Sequence, residues 1–336
     1  MIFQIYIDTK KYFSNSNKNL SSFLKNEGID ISNVDSLKLL YNYGEDKEFI
    51  SKIERIKFDN KKLLLQKLNL SNINPYSIFD MNLAIFHENK RQLLKALQIA
   101  WLYYALKDNV NIKLAPITFF FAGKANADYY MAKEIIKFIN HLKDMINKDT
   151  LVKDKLKIVF VEDYNLNKAR NLLKASDVFN NLTLSIYDNS SFEILNACFN
   201  FSNIISSRSG IIKNIKKKNA IYTFADTVEE VYEIKNKNLY NALETYYQNP
   251  LKDVVDNLIN ERNKNFNYDF KIIYKQLLKY NDSFFIFKDL YELIKVGLRV
   301  SDDYLNSKKW VSNEIENFVW ANEYNLENNF IDKIRH

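Results

Sequence analysis

Residues 121–133 read Phe-Ala-Gly-Lys-Ala-Asn-Ala-Asp-Tyr-Tyr-Met-Ala-Lys and join two segments in which apolar residues follow different periods. Residues 117–122 are a nearly continuous apolar run, which is typical of a strand buried on both faces. Residues 131–146 carry apolar side chains at helical spacing, which predicts an amphipathic helix. The junction is therefore a buried strand followed by a helix, the repeating unit of an α/β fold.

The alternation of strands and helices continues on both sides of this junction. Residues 77–86 and 157–161 are predicted strands, and residues 91–107 are a strongly apolar predicted helix. Because strands that alternate with helices pair in parallel, we expect a parallel sheet covered by helices on both faces. Residues 49–68 also have helical spacing, and the chain is predicted to be mostly helical from about residue 226 onward.

Three segments follow from this pattern. Residues 1–75 are predicted to form a lead-in strand and helices, residues 76–280 the α/β lobe, and residues 281–336 the C-terminal helices. The chain contains neither an internal repeat nor a linker rich in proline or glycine.

Composition describes a globular protein of 336 residues, 47% of them hydrophobic and 15% aromatic. The single cysteine, Cys198, excludes an intramolecular disulfide and suits a reducing compartment. No segment approaches the ~20 uninterrupted apolar residues of a spanning helix, so we predict no membrane partner. Residues 1–8 have no basic stretch before their apolar run and resemble a strand rather than a signal peptide. We therefore expect a cytoplasmic protein.

The net charge of +7 raises the hypothesis of a nucleic-acid binder. The basic runs, such as residues 213–218, are short and carry no recognition motif, so a solvated basic surface is the favoured interpretation and no specific nucleic acid is predicted. With three histidines, one cysteine and no clustered ligand spacing, no metal site is predicted. Only five glycines are present, although phosphate-binding loops use glycine to bring backbone close to the ligand.

Several sequence blocks, in order, resemble the C-terminal half of the glycogen/starch (α-1,4-glucan) phosphorylases. Residues 121–133 are similar to one motif of that family, and residues 73–80, Ile-Asn-Pro-Tyr-Ser-Ile-Phe-Asp, resemble its I-N-P-x-S-x-F-D. Residues 87–94, His-Glu-Asn-Lys-Arg-Gln-Leu-Leu, are similar to H-E-Y-K-R-Q-L-L. Residues 152–164 and 282–310 extend the resemblance over nearly the whole chain.

The resemblance implies a fold and a chemistry. Members of that family have two Rossmann-like lobes, the GT-B glycosyltransferase architecture, with the active site between them. They cleave α-1,4-glucans with phosphate to release glucose 1-phosphate, using pyridoxal phosphate held on a lysine. We therefore expect this chain to be a single Rossmann-like lobe with a C-terminal helical subdomain, and the N-terminal lobe to be absent.

Carried over position by position, the resemblance marks vestigial site residues. The cofactor-binding positions are Lys90, Lys124, Tyr164 and Asn196, and the substrate-binding positions are His87, Asp188, Ser190 and Ser191. Asn196 stands where the family has its cofactor lysine, and an amide nitrogen is not nucleophilic enough to form a Schiff base. No bound cofactor is therefore predicted.

Other departures from the family pattern fall where phosphates are held in the family. Ala84 and Ile85 replace a lysine and an arginine, Asn165 replaces an arginine, and Ser191 and Glu193 replace loop glycines. Residues 8–12, Asp-Thr-Lys-Lys-Tyr, depart more mildly from T-P-R-R-W.

Several of these positions, and some close to them, also have a purely structural interpretation. Lys90 and Arg91 are consistent with a solvated basic pair at a helix start, Lys124 with a strand–helix turn, and Tyr129 and Tyr164 with packing at the edge of the sheet. Asp128, a glycine in the family, is predicted to accept hydrogen bonds at a helix N-terminus. The serine pairs at 190–191 and 206–207 are interpreted as loop residues.

Three functional hypotheses remain. The first is a catalytically silent phosphorylase-like protein kept for binding or as a scaffold. The second is an α-1,4-glucan phosphorylase subunit completed by a separately encoded N-terminal lobe, and the third is a basic nucleic-acid binder. The candidate partners are an α-glucan, such a lobe, or a second copy of the chain.

Overall fold

A computed structural model describes residues 17–109, 111–188, 191–214, 220–247, 251–259 and 270–334. Its centre is a six-stranded parallel sheet with the order β3-β2-β1-β4-β5-β6. This is the strand order of doubly wound dinucleotide-binding sheets, so the predicted Rossmann-like lobe is confirmed. The strands are β1 (Ile78–Leu83), β2 (Ile117–Ala122), β3 (Leu156–Val161), β4 (Val178–Asn181), β5 (Asn203–Ser207) and β6 (Ile221–Phe224).

Helices precede, connect and follow the strands. Those before β6 are α1 (Lys18–Asn26), α2 (Val34–Lys38), α3 (Lys47–Lys67), α4 (Gln92–Asp108), α5 (Tyr130–Lys148), α6 (Leu166–Ala175) and α7 (Ser191–Cys198). Those after it are α8 (Val228–Asn236), α9 (Ala242–Tyr247), α10 (Leu251–Ile259), α11 (Lys271–Tyr274), α12 (Ile286–Tyr304) and α13 (Ser307–Ile334).

The sheet is buried on both faces because alternate residues of each strand enter different hydrophobic clusters. In β2, Phe119 and Phe121 pack into one cluster with α4, α5 and α12. Phe120 and Ala122 pack into the other with α1, α3, α6, α7 and α13. Two-sided burial explains why β2 is an apolar run rather than an alternating pattern.

A buried polar network joins β1, β4 and α4 at the centre of the sheet. Lys95 Nζ donates to Asp80 Oδ2 at 2.7 Å and to Asn180 Oδ1 at 3.1 Å. Asn180 Nδ2 donates to Asp80 Oδ1 at 2.7 Å, so each member satisfies the others. Burial raises the pKa of Asp80 and lowers the pKa of Lys95, and the ion pair opposes both shifts.

Most predicted elements are found close to their expected positions. The predicted strand at 117–122 coincides with β2, while the strand predicted over 77–86 ends at Leu83. The interpretation of Ser206 and Ser207 as loop residues was wrong, because both are buried at the end of β5. The division at residues 75 and 280 stays a prediction.

Some expectations concern residues outside the described ranges. The predicted strand at 1–8, the segment 8–12, most of the basic run 213–218, and Ser190 lie there. Among the residues that the structure describes, no helix combines the length and apolarity required to cross a membrane.

Candidate functional site

The candidate site lies at the carboxyl edge of the sheet, between β1 and β4. From β1 the chain adds β2 and β3 on one side of the sheet, and from β4 it adds β5 and β6 on the other side. Open α/β sheets bind ligands in the crevice at the carboxyl ends of the strands where the strand order reverses in this way. Three loops meet there, which comprise residues 84–91 after β1, 182–188 after β4 and 208–214 after β5. They contain the predicted positions His87, Lys90 and Asp188.

His87 and its neighbours form a hydrogen-bonded turn before α4. His87 Nδ1 accepts from Asn89 N at 3.2 Å, and the imidazole stacks on the ring of Tyr129 with centroids 4.7 Å apart. The Tyr129 hydroxyl donates to the Glu88 carboxylate. Burial, together with this hydrogen bond, raises the pKa of Tyr129. Tyr129 therefore links the loop after β1 to the start of α5.

Lys90 and Arg91 point to different environments although they are adjacent. Lys90 is half-buried, and its Nζ donates to Thr183 Oγ1 in the loop after β4 at 3.3 Å. Arg91 is fully buried, pairs with Asp289 of α12 and donates through Nε to Leu182 O. The interpretation of the two as a solvated pair was therefore wrong, because tertiary packing encloses Arg91 with a carboxylate partner.

Asp188 is held by hydrogen bonds from β4 and from the loop after β5. Its Oδ2 accepts from Ser209 Oγ at 2.6 Å and from Asn181 Nδ2 at 3.1 Å. Asn181 also donates to Ser206 Oγ at 3.1 Å. Gly210 adopts a φ of +55°, and a Cβ there would lie 2.8 Å from Asp188 Oδ2. The carboxylate of Asp188 is therefore occupied in cross-linking two strand ends.

Comparison with known proteins identifies relatives of this chain. The profile of the carbohydrate phosphorylase family matches residues 6–329. The chain belongs to the carbohydrate phosphorylase family. It is 30% identical over 328 residues to glycogen phosphorylase of Bacillus subtilis, an alignment that covers 95% of this chain and 41% of that protein.

Two further phosphorylases show the same partial coverage. The muscle form of Bos taurus is 31% identical over 305 residues, covering 88% of this chain and 36% of that protein. The glycogen phosphorylase of Haemophilus influenzae is 30% identical over 302 residues, covering 86% and 36% respectively. The chain thus spans well under half the length of the phosphorylases it matches.

The residues present do not fit pyridoxal phosphate held as a Schiff base at the family position. Asn196 lies in α7, is 5% exposed, and donates from Nδ2 to Phe192 O of its own helix at 2.9 Å. An amide nitrogen in this state neither attacks a carbonyl nor carries a positive charge. Among the described residues, no group of three or more His, Cys, Asp and Glu is placed to hold a metal ion.

Tyr164, which lies between β3 and α6, interacts electrostatically with Glu193 in the first turn of α7. Burial raises the pKa of Tyr164 to about 12, and the negative charge of Glu193 adds to the shift. Glu193 is exposed in the first turn of α7. The resemblance aligns it with a loop glycine of the family, so it adds a negative charge at that position. Ser191 begins α7 and so is not a loop residue, which corrects the earlier interpretation.

Asn165 has a structural role that accounts for its presence. It is the N-cap of α6, and its Oδ1 accepts from Asn167 N at 3.0 Å and from Lys168 N at 3.1 Å. Arginine offers no such acceptor. The change from the phosphorylase arginine therefore exchanges a cation for a helix cap.

Asn165→Ala is expected to lower the free energy of unfolding by about 1 kcal/mol, the usual effect of losing an N-cap acceptor. Asn165→Arg, which restores the family residue, should cost a similar amount, whereas Asn165→Asp should retain the cap. Urea unfolding followed by tryptophan fluorescence measures all three. Equal stability of the alanine and aspartate variants would contradict this role.

Lys124 and Asp128 follow β2 and are both exposed. The backbone carbonyl of Lys124 accepts from Phe86 N at 2.8 Å, which ties the loops after β1 and β2 together. The prediction that Asp128 caps α5 was wrong, because α5 begins at Tyr130 and its N-cap is Tyr129, whose side chain makes no capping hydrogen bond to the helix. Asp128 N instead donates to Asn126 Oδ1 at 3.2 Å.

Several residues of the site carried no sequence signal of their own. The Thr183 hydroxyl accepts, and the Ser209 hydroxyl donates, a hydrogen bond that joins two of the loops. Each is a single polar residue in an irregular segment, so no pattern in the sequence marks it. Glu88 and Tyr129 each lie in a stretch that resembles the family, but nothing in the sequence indicated that they bond to each other. Loop-to-loop contacts depend on strand order, which local periodicity does not specify.

Proposed function

We propose that this chain is a catalytically silent member of the carbohydrate phosphorylase family. The observation that carries the proposal is Asn196, which the resemblance aligns with the family's cofactor lysine and whose amide hydrogen bonds within its own helix. Without a lysine there, pyridoxal phosphate has no covalent anchor at this position. The chain then retains the lobe without the cofactor chemistry.

Other positions that differ from the family pattern, together with the burial of Arg91, support the same conclusion. Glu193 adds negative charge beside a position where phosphates are held in the family, and Arg91 is neutralised by Asp289 inside the core. Ile85, where the family has an arginine, is 64% exposed and offers no charge. Anion binding needs converging donors and cations, and the residues at 193 and 85 supply neither.

Cofactor binding tests this proposal directly. The purified chain is incubated with stoichiometric pyridoxal phosphate, reduced with borohydride and mapped by peptide mass spectrometry. We expect no stoichiometric pyridoxyl adduct on any single lysine. Asn196→Lys is the matched variant, and an adduct confined to residue 196 in that variant shows that the assay detects a competent site. Stoichiometric labelling of one native lysine, such as Lys90 or Lys124, would overturn the proposal.

The role that remains for such a lobe is binding, and the relatives' name suggests glycogen as the ligand. Affinity electrophoresis in gels containing glycogen tests this role without requiring turnover. Retarded migration, reversed by free maltooligosaccharide, is the expected result. Unchanged mobility over a range of glycogen concentrations would remove the glucan from the proposal and leave the scaffold role.

A second candidate is a phosphorylase subunit completed by another polypeptide. Exposed apolar side chains at the carboxyl edge of the sheet favour it, because monomers rarely leave such groups clustered and bare. They follow four successive strands and comprise Ile85 (64% exposed), Tyr130 (53%), Leu166 (77%), Tyr187 (45%) and Phe192 (41%). Release of glucose 1-phosphate by this chain only when a separate N-terminal lobe is added would support this candidate over the first.

A further inference from the structure

A cavity of about 320 Å³ lies at the opposite, amino-terminal edge of the sheet. It is enclosed by α3, by residues just before β1 and β4, and by the junction of α12 with α13. Exposed Tyr76 and Ser307 belong to its lining, so it is reached from solvent. Nothing in the candidate site at the carboxyl edge uses it.

Four buried charged residues and the exposed carboxylate of Glu54 form the polar wall of this cavity. Lys57 and Lys61 come from α3, Asp177 precedes β4, and Glu314 comes from α13; each is at most 7% exposed. Lys61 pairs with Asp177, whose Oδ2 also accepts from Phe79 N at 2.7 Å. Lys61 and Asp177 therefore neutralise each other.

Lys57 and Glu314 are left without a comparable partner. Within the described part of the chain, Lys57 Nζ donates to Ser176 O and lies in no ion pair within 4.0 Å, and Glu314 Oε1 has no hydrogen-bond partner. Burial raises the pKa of Glu314 to about 8, although the charges of Lys57 and Lys61 oppose the shift. The Glu314 carboxyl is then largely protonated at neutral pH and offers a hydroxyl donor beside Lys57. Burial lowers the pKa of Lys57, and a bound carboxylate would favour its charged form.

Aromatic rings form the rest of the wall. The rings of Phe58 and Tyr76 lie 4.6 Å apart, and those of Tyr304 and Trp310 meet edge to face at 5.0 Å. The Tyr304 hydroxyl donates to Tyr76 O at 3.0 Å, which holds the two pairs together. A planar apolar group can therefore be buried between rings while a polar end reaches the lysine.

We propose that this cavity binds an aromatic monocarboxylate, with the carboxylate accepting hydrogen bonds from Lys57 Nζ and the Glu314 carboxyl and the ring lying among the aromatic side chains. A single carboxylate can pair with the Lys57 ammonium, which is buried deeper than the exposed Glu54 at the rim. A dianion such as a phosphate monoester would place its second charge near Asp177 and is disfavoured. The proposal is independent of the state of Asn196.

Calorimetric titration of the whole chain with phenylacetate and indoleacetate tests the proposal. We expect saturable binding of both acids and at least tenfold weaker binding of phenethyl alcohol and phenethylamine, which keep the ring but lack the carboxylate. Lys57→Met should lower the affinity for the acids at least tenfold, and Lys52→Met, an exposed position on the same helix, should leave it unchanged. Thermal unfolding of each variant shows that it is folded.

Two further variants separate the parts of the site. Ser307→Trp places a ring at the exposed rim and should block binding without altering the buried wall. Glu314→Gln supplies an amide donor at every pH and should bind phenylacetate at pH 7 about as the parent does. Glu314 faces Lys57, Lys61, Asp177, Tyr304 and Trp310, and Glu54 lines the same cavity. The parent should lose affinity between pH 7 and 9 as Glu314 ionises, and Glu314→Gln should lose less.

Three results would overturn the proposal. They are absence of saturable binding of either acid, equal affinity for the alcohol or the amine, and unchanged affinity of a folded Lys57→Met variant.

Discussion

Gly123→Ala is expected to destabilise the fold by at least about 3 kcal/mol, the range in which overpacking a rigid site becomes severe. A Cβ at this position would lie 1.8 Å from the carbonyl oxygen of Ala84 and 2.8 Å from its carbonyl carbon. The clash is with backbone, so no side-chain rotation relieves it. Gly123 directly follows β2, within the stretch that identifies the fold.

The backbone around Ala84 has little freedom to move away. Ala84 N donates to Ala122 O at 3.1 Å, and Phe86 N donates to Lys124 O at 2.8 Å, so hydrogen bonds hold both sides of the contact. Relief would require breaking these bonds between the loops after β1 and β2. We therefore expect Gly123→Ala to fold only in part, or to lose its cooperative transition.

Circular dichroism and urea unfolding measure the effect. Gly28→Ala is the matched control, because Gly28 has a φ of +77° but no atom within 4 Å of an added Cβ. That variant should lose only about 1–2 kcal/mol, the cost of a left-handed alanine. If Gly123→Ala were no less stable than Gly28→Ala, the close approach of the two loops would be wrong.

Arg91→Met is expected to lower the free energy of unfolding by about 3 kcal/mol, the lower end of the range for breaking a buried ion pair. Within the described ranges, the buried Asp289 carboxylate then keeps only Lys288, whose Nζ lies 4.0 Å from its Oδ1. Asp289 is 2% exposed and pairs with the fully buried Arg91. Burial already raises the pKa of Asp289, and Arg91 opposes that shift. Loss of the guanidinium also removes the hydrogen bond from Nε to Leu182 O.

A double substitution distinguishes charge from packing. Arg91→Met with Asp289→Leu removes both charges and should recover much of the loss, since apolar replacements of buried ion pairs are often neutral or better. In the single variant, the deficit should shrink as the pH falls, because protonating Asp289 removes the buried charge that has lost its main partner. Urea unfolding at pH 5 and pH 8 measures both effects. A single variant as stable as the parent would contradict the importance of the pair.

Local pattern predicted the framework of this protein well. The apolar run of β2 and the helical spacing of α5 placed both elements within about two residues of their bounds, since periodicity reports burial. It failed where burial was set by distant segments. Ser206 and Ser207 look like loop residues, but they end a strand that is covered by the rest of the fold.

For the candidate site, the sequence predicted where the residues lie in the fold but not which side chains contact each other. His87, Lys90 and Asp188 do lie in loops at one edge of the sheet, as a parallel sheet requires of residues that follow its strands. Which side chain meets which was not predictable. Asp188 bonds to Ser209 and Asn181, and Lys90 to Thr183, because β1, β4 and β5 are neighbours.

The sequence alone determined the alternation of strands and helices and the resemblance to the phosphorylases, which the family match confirms. It also determined that residue 196 is an asparagine and not a lysine. These depend on periodicity and on covalent chemistry, and folding does not alter them. Tertiary structure decided that Arg91 is buried against Asp289, 198 residues away, and that Lys57 and Glu314 share a cavity. The partner of a buried charge is set by which distant segments pack together, and no local pattern records that.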